Sequence, residues 1–320
     1  MSRRPILVTG SHRSGTTWVG EMLAASGEVV PIHEPFNPEL SSSWLAAPPP
    51  RWYHHVGPEG DDLLAADLSR VAALKPAAGA MLRRSGSPRD AARVGREAMR
   101  AVSGRLRGRR ALLKDPIAFF SAPWIHTELE ADVVVLVRHP AAFAGSLARL
   151  VWAFDFTNLT DQPSLIDGPA APFADELAAA AVEPGDIIDQ AILLWRLIAH
   201  VAAEYAVAHP SWTVRRYEDL AAEPTIAVPE LARAVGLRWS DAATDAVAEL
   251  TSSQLGAHVA DGDKGGVARD SRAAMWTWLD RLDPEHVRRV RSGTADIAER
   301  FYGDSDWAPP TTTSTFDPRP

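Results

Sequence analysis

Cysteine is absent from the 320 residues. That excludes disulfides, thiolate metal sites and a cysteine nucleophile. An excess of positive charge is lacking too: 33 Lys and Arg face 41 Asp and Glu, for a net charge of −8. Such a balance does not suit a general nucleic-acid binder. An anionic ligand must then be held by a local cluster of cations, not by the field of the whole chain. No apolar run in the sequence approaches the length of a membrane span. Residues 1–5 carry no apolar signal core, and Arg3-Arg4 without one is no twin-arginine signal, so the expectation is a cytoplasmic protein. His54-His55 stands without the neighbours a metal site requires, and no metal is expected.

What is present centres on Gly10-Ser11-His12-Arg13-Ser14-Gly15-Thr16-Thr17-Trp18. Pro5-Ile6-Leu7-Val8-Thr9 ahead of it reads as a buried strand. Behind it, apolar residues 18, 19, 22 and 23 fall on one helical face. Strand, glycine turn and helix form the context of a phosphate-gripping loop. The unpartnered N–H groups at the helix start, aided by the dipole, attract an anion. The triphosphatase loop reads G-x-x-x-x-G-K-[ST]. Gly10 and Gly15 fit it, but Thr16 stands in place of the lysine, which argues against ATP. Arg13 supplies a cation from inside the turn. The plain alternative is a glycine turn in an ordinary Rossmann-like unit.

Further along, residues 29–32 read as a strand that delivers His33-Glu34-Pro35. A carboxylate at the end of a parallel strand sits where open α/β sheets bind ligands. By pattern alone Glu34 reads first as a solvated loop acid or a helix-capping partner. Residues 39–60 form a long loop whose Trp44, Trp52 and Tyr53 either stack on an acceptor or pin the loop to the core. Helices are predicted over 61–74 and 90–102, the second carrying Arg93, Arg96 and Arg100 on a solvated or anion-facing side. A strand at 111–113 ends in Lys114-Asp115-Pro116. The β-branched run 132–137 predicts a central parallel strand. Arg138-His139-Pro140 follows it, then a helix over 141–153 with Ser146 eight positions after Arg138. Helices are expected over 173–182, 186–208, 229–235, 241–250 and 283–301. A strand at 212–216 leads into Tyr217-Glu218-Asp219-Leu220. Residues 252–270 read as a glycine-bearing loop, and 309–320 as a Pro-rich mobile tail after a single domain spanning 1–308. The fold class expected is α/β: a P-loop-like three-layer α/β/α arrangement, with a central parallel sheet and additional helices.

The segment Arg13-Ser14-Gly15-Thr16-Thr17-Trp18 resembles the 5′-phosphosulfate loop of sulfotransferases that use 3′-phosphoadenosine-5′-phosphosulfate (PAPS). The longer stretch, on through Gly20-Glu21-Met22-Leu23 to His33-Glu34-Pro35, is similar to the carbohydrate sulfotransferase branch and its bacterial relatives. The resemblance implies that residues Ser11, His12, Arg13, Ser14, Gly15, Thr16, Thr17 and Trp18 hold the 5′ end of PAPS. Arg138, Pro140 and Ser146 resemble the family's 3′-phosphate site, where a planar fork of donors suits a phosphate. Tyr217 either lies near the adenosine or packs at a strand end. Glu34 is implied as general base, with Arg13 and Lys114 meeting charge on the transferring group. Related cytosolic enzymes carry Lys-x-His where this chain has Lys114-Asp115-Pro116, so Pro116 removes a histidine base. Asp115 is then a second candidate base or a structural acid. Lys264, Arg269 and Arg272 are candidates for a late loop over the 3′-phosphate.

The expected activity is metal-free transfer of a sulfuryl group from PAPS to a hydroxyl acceptor, a carbohydrate, glycoside or other small alcohol. Two other classes compete. A P-loop kinase needs ATP and magnesium, which Thr16 opposes. A non-catalytic nucleotide-binding module needs no base, which Glu34 opposes.

Overall fold

The computed structural model describes residues 4–252 and 268–309. Five parallel strands form one sheet: β1 (Ile6–Gly10), β2 (Val29–His33), β3 (Arg110–Lys114), β4 (Asp132–Val137) and β5 (Thr213–Arg216). Their order is β2-β3-β1-β4-β5. The chain first builds to one side of β1 and then crosses to the other. That reversal places a switch point between the ends of β1 and its neighbours, where open α/β sheets bind ligands.

The helices are α1 (Thr16–Ala24), α2 (Asp62–Ala72), α3 (Ala78–Arg84), α4 (Pro88–Leu106), α5 (Ala122–Leu129), α6 (Pro140–Leu150), α7 (Thr157–Thr160) and α8 (Pro163–Ile166). They continue as α9 (Ala174–Val182), α10 (Ile187–Ala208), α11 (Tyr217–Ala222), α12 (Pro224–Ala234), α13 (Asp241–Thr251), α14 (Ser271–Met275) and α15 (Pro284–Ala298). The apolar run of β4 divides by the two-residue strand period. Val133, Val135 and Val137 face the core shared with α10 and α6. Val134 and Leu136 face the core shared with α1 and α12. Both faces of the sheet are therefore covered, as the unbroken β-branched run requires.

Helices α3 and α5 are not signalled by the sequence pattern, and α12 begins at Pro224 and not at 229. Pro224 suits a first helical position. Pro229 then falls inside α12. Its lost hydrogen bond is offset by burial of Val228, Leu231 and Ala232 on the second core.

Helix α10 corrects the reading that no run is long enough to span a membrane. Its 22 residues reach a mean hydropathy of 1.5 over 18 positions, enough by length and composition alone. Within the fold, Leu194, Leu197 and Ala202 are fully covered and the helix packs against α6 and α15. Its apolar character thus serves the larger core. Asp186 caps its start by accepting from the backbone N–H groups of Ile188 and Asp189.

Candidate active site

The loop after β1 needs its two glycines for different reasons. Gly10 has φ 143°, and a side chain there would lie 2.3 Å from the Leu136 carbonyl oxygen on β4. Gly15 has φ 97°, and its absent Cβ makes room for the Tyr217 ring at 2.4 Å. Arg13 also takes a positive φ, 65°, which an L-residue adopts only under constraint. The turn closes through Ser14 N–H donating to Ser11 carbonyl oxygen at 3.1 Å. Gly15 caps α1 with no side chain, so the first-turn N–H groups are not met there. Ser14 Oγ and Trp18 Nε1 are buried without partners. Buried polar atoms are rarely left so, and a polar ligand is one way to meet them.

A second group of donors comes from the end of β4. Arg138 Nη1 donates to the Arg13 carbonyl oxygen at 2.7 Å. Its guanidinium lies 4.9 Å from the centre of the Tyr217 ring, while Nε has no partner. Arg13 Nε donates to Ser146 Oγ at 3.0 Å, so the two motifs are joined directly. Ser146 keeps its own hydroxyl proton for another acceptor. From the other side, Arg269 Nη2 donates to the Tyr217 hydroxyl at 2.8 Å, and its Nε is unpartnered.

Several arginines crowd one another here. Burial and the guanidinium groups of Arg138, Arg149 and Arg269 push Arg13 down to about 10. Burial, with Arg149, Arg138, Arg13 and Arg269, likewise pushes Arg281 down to about 10. Neither Arg149 nor Arg281 is singled out by sequence pattern. Arg149 follows Ser146 by three positions on α6, a spacing that shares a helical face and could have signalled it. Arg281 has no such signal. It arrives because Gly145 leaves room for its Cβ at 3.5 Å and for that of Trp278 at 3.3 Å.

The adjacent strand ends hold an acid–base pair. The parallel register sets His33 opposite Lys114. Glu34, one residue past β2, donates its N–H to the Lys114 carbonyl oxygen at 2.9 Å. Its φ of 44° turns the chain sharply there. Lys114 Nζ donates to Glu34 Oε1 at 2.6 Å, and Asn37 Nδ2 to Glu34 Oε2 at 2.8 Å. Burial works to raise the Glu34 carboxyl, but Lys114, His33 and these hydrogen bonds outweigh it and hold it below the ordinary value. Burial and Lys114 push His33 down to about 4.

Asp115 is placed differently. It is fully buried, and Oδ2 accepts from Phe36 N–H while Oδ1 accepts from the N–H groups of Ile117 and Ala118. Burial and the Glu34 charge push it up to about 7. Both of its oxygens are engaged in tying the segment after β2 to the segment after β3. The Glu34 side chain, by contrast, is 18% exposed.

The remaining sequence candidates separate. The His12 N–H donates to the Tyr53 hydroxyl, and its Nδ1 lies 2.7 Å from the same oxygen, so neither group faces the loop's anion site. Trp44 and Tyr53 are buried in the core, whereas Trp52 is partly exposed. Tyr217 is fully buried beside Gly15, Arg138 and Arg269. Arg272 bonds the Ala222 carbonyl oxygen and pairs with Glu223, away from the cleft. Lys264 lies outside the described residues, as does most of the late loop.

The sequence pattern described as Sulfotransferase family matches residues 5–241. Carbohydrate sulfotransferase 7 of Rattus norvegicus is 36% identical over 129 residues, 39% of this chain and 24% of that protein. The Mus musculus counterpart is 36% identical over 132 residues, 40% of this chain and 25% of that protein. The matched part thus spans about a quarter of these relatives. Among solved structures, the sulfotransferase domain from the curacin biosynthetic pathway aligns with a TM-score of 0.43 at 17% identity, covering 93% of this chain and 98% of that one. A mouse sulfotransferase complexed with PAP aligns with a TM-score of 0.42 at 14% identity, covering 94% and 85%. The family pattern covers both strand-end motifs and all five strands of the sheet, and the chain belongs to the sulfotransferase family.

Proposed function

We propose that this protein transfers a sulfuryl group from PAPS to the hydroxyl of a small-molecule acceptor, a carbohydrate or glycoside by resemblance. The observation that carries this reading is the cleft of arginines whose buried donors, Arg138 Nε, Arg269 Nε, Ser14 Oγ and Trp18 Nε1, lack partners. Such donors fit a ligand with two separate anionic groups. In this reading, the Ser14–Trp18 stretch and Arg13 hold the 5′-phosphosulfate. Arg138 and Ser146 hold the 3′-phosphate, with Arg269 and Arg281 adding charge. PAPS supplies the sulfuryl group and a stable bisphosphate leaving group.

Glu34 accepts the proton of the acceptor hydroxyl. It is the more accessible of the two acids, and it is held ionised by Lys114. Lys114 also supplies a cation next to the reacting atoms, where fixed charge is most effective. Asp115 positions the Glu34 segment through Phe36. The thermodynamic test is titration with adenosine 3′,5′-bisphosphate, 5′-AMP and ATP with magnesium, followed by tryptophan fluorescence. The bisphosphate should bind at least about tenfold more tightly than 5′-AMP, on the order of one charged hydrogen bond. Equal affinities, or a preference for magnesium–ATP together with phosphate transfer, would overturn the assignment.

A further inference from the structure

The loop between β2 and α2 crosses the phosphate-gripping loop and is pinned there by Tyr53. The Tyr53 oxygen accepts the His12 backbone N–H at 3.0 Å and lies 2.7 Å from His12 Nδ1. The Tyr53 hydroxyl proton finds an acceptor when it is given to Nδ1, the tautomer that leaves the His12 ring proton on Nε2. That Nε2 is buried and has no partner. Burial and the charge of Arg13 push His12 down to about 3, so the ring is neutral.

Aromatic rings surround this imidazole. Trp52 meets it edge-on at 5.7 Å and Trp152 lies tilted at 5.1 Å, with Phe143 and Phe154 behind. The two indoles stand 5.6 Å apart at 80°. They are partly exposed, whereas Tyr53, Phe143 and Phe154 are buried. Two partly exposed tryptophans, near a right angle to each other, thus pack at the edge of the core beside a buried ring nitrogen without a partner.

The corner is wired to the acid–base pair. Trp52 Nε1 donates to Glu39 Oε1 at 3.2 Å, and Glu39 N–H donates to Asn37 Oδ1 at 3.0 Å. Asn37 Nδ2 in turn donates to Glu34 Oε2. On the other wall, the Trp152 N–H donates to the Leu147 carbonyl oxygen, at the end of the helix that carries Ser146. Thus the Trp52 indole is tied to the Glu34 segment, and the backbone of Trp152 to the helix that carries Ser146.

We infer that Trp52 and Trp152 form an acceptor subsite for a pyranose ring, with its C–H face on an indole and one ring oxygen taking the His12 Nε2–H. This deepens the sulfuryl-transfer reading and rests on it for the identity of the reaction. Several features favour a sugar over an alkyl chain. The rim is polar: Glu39, Asn158, which accepts the Trp52 N–H, and the Arg51–Asp161 ion pair. A sugar offers one apolar face and a polar edge, and indole supplies a flat apolar partner with a polar tip. A neutral histidine donor suits a sugar oxygen and gives no net pull on an anion.

The test is saturation-transfer NMR of the unmodified protein with methyl β-D-glucopyranoside and 4-nitrophenyl β-D-galactopyranoside, with and without adenosine 3′,5′-bisphosphate. Ring C–H protons should saturate more strongly than the hydroxymethyl protons in both conditions. Trp52→Ala and Trp152→Ala should each raise the glycoside KM by about 3–10-fold, the size of an aromatic contact, with kcat and bisphosphate affinity unchanged. Trp52→Phe and Trp152→Phe keep the packing on His12 and should lose about 2–3-fold. Absence of ring saturation, a stronger signal from 1-hexanol than from the glycosides, or unchanged KM in both alanine variants overturns the subsite. Sugar saturation without any bisphosphate binding would instead sink the PAPS assignment and leave the subsite standing.

Discussion

Two neighbouring parts of the same strand-end surface treat charge in opposite ways. Beyond β1 and β4, the guanidinium groups of Arg138, Arg149 and Arg269 add to burial in lowering both Arg13 and Arg281. Beyond β2 and β3, Glu34 and Lys114 cancel each other at 2.6 Å. A crowd of like charges is costly until an anion arrives, so part of a polyanion's affinity would come from relieving that repulsion. A balanced pair costs less at rest and presents no net charge to an incoming neutral hydroxyl. Under the proposed function the contrast would divide labour: one half would bind by charge, the other would take a proton.

The largest test of that division is Glu34→Gln. It keeps shape and hydrogen-bonding reach but cannot take the proton. Turnover should fall roughly 10²–10⁴-fold, with bisphosphate affinity in a fluorescence titration unchanged. Normal turnover in Glu34→Gln beside a dead but bisphosphate-binding Asp115→Asn would move the base to Asp115.

Arg138→Ala should weaken the bisphosphate by about 1.5–3 kcal/mol, the worth of a charged hydrogen bond. The affinity for 5′-AMP should barely change. A parallel loss of both ligands would show that Arg138 merely supports the loop through its bond to the Arg13 carbonyl.

Asp115→Asn probes the buried acid. One of its atoms becomes an N–H donor facing a backbone N–H, which costs about 1–3 kcal/mol of stability. Chemical denaturation should show that loss, while turnover per folded molecule is retained. The two carboxylates, alike in chemistry, would then differ as base and as brace.

The smallest effect concerns pH. Glu34 is held below its ordinary pKa, so its base form persists as pH falls until that lowered value is reached. Lys114→Met removes the main lowering charge and leaves burial, which raises the carboxyl. The acid limb of kcat/KM should therefore move to higher pH. An unmoved limb would mean that Glu34 is not the group being titrated.

Some of this was legible in the chain. Gly10, Gly15 and Arg13 announce a turn between an apolar strand and a helix, and the β-branched run of β4 announces a central strand. Arg138 and Ser146 follow at a spacing that helix geometry can bring together. The basic loop residues after 252 were harder. Arg269 reaches Tyr217, but Arg272 turns away to Ala222. Arg269 precedes α14 and Arg272 lies within it, and only the packing of that helix decides which side chain faces inward. Pattern likewise treated Trp44, Trp52 and Tyr53 alike, although only Trp52 of the three retains exposure.

Neighbouring residues alone settle the local pieces: a strand, a glycine turn, a helix start, and an arginine at the end of a buried strand. Steric limits on φ and the periods of strand and helix act over a few residues, so they can be read along the chain. Which charges meet is settled by packing in three dimensions. Lys114 pairs with Glu34 because β2 and β3 lie in parallel register, 80 positions apart along the chain. Arg281 joins Arg13 because Gly145 admits its Cβ. Coulomb energy depends on distance in space and on burial, and neither quantity is written in the order of residues.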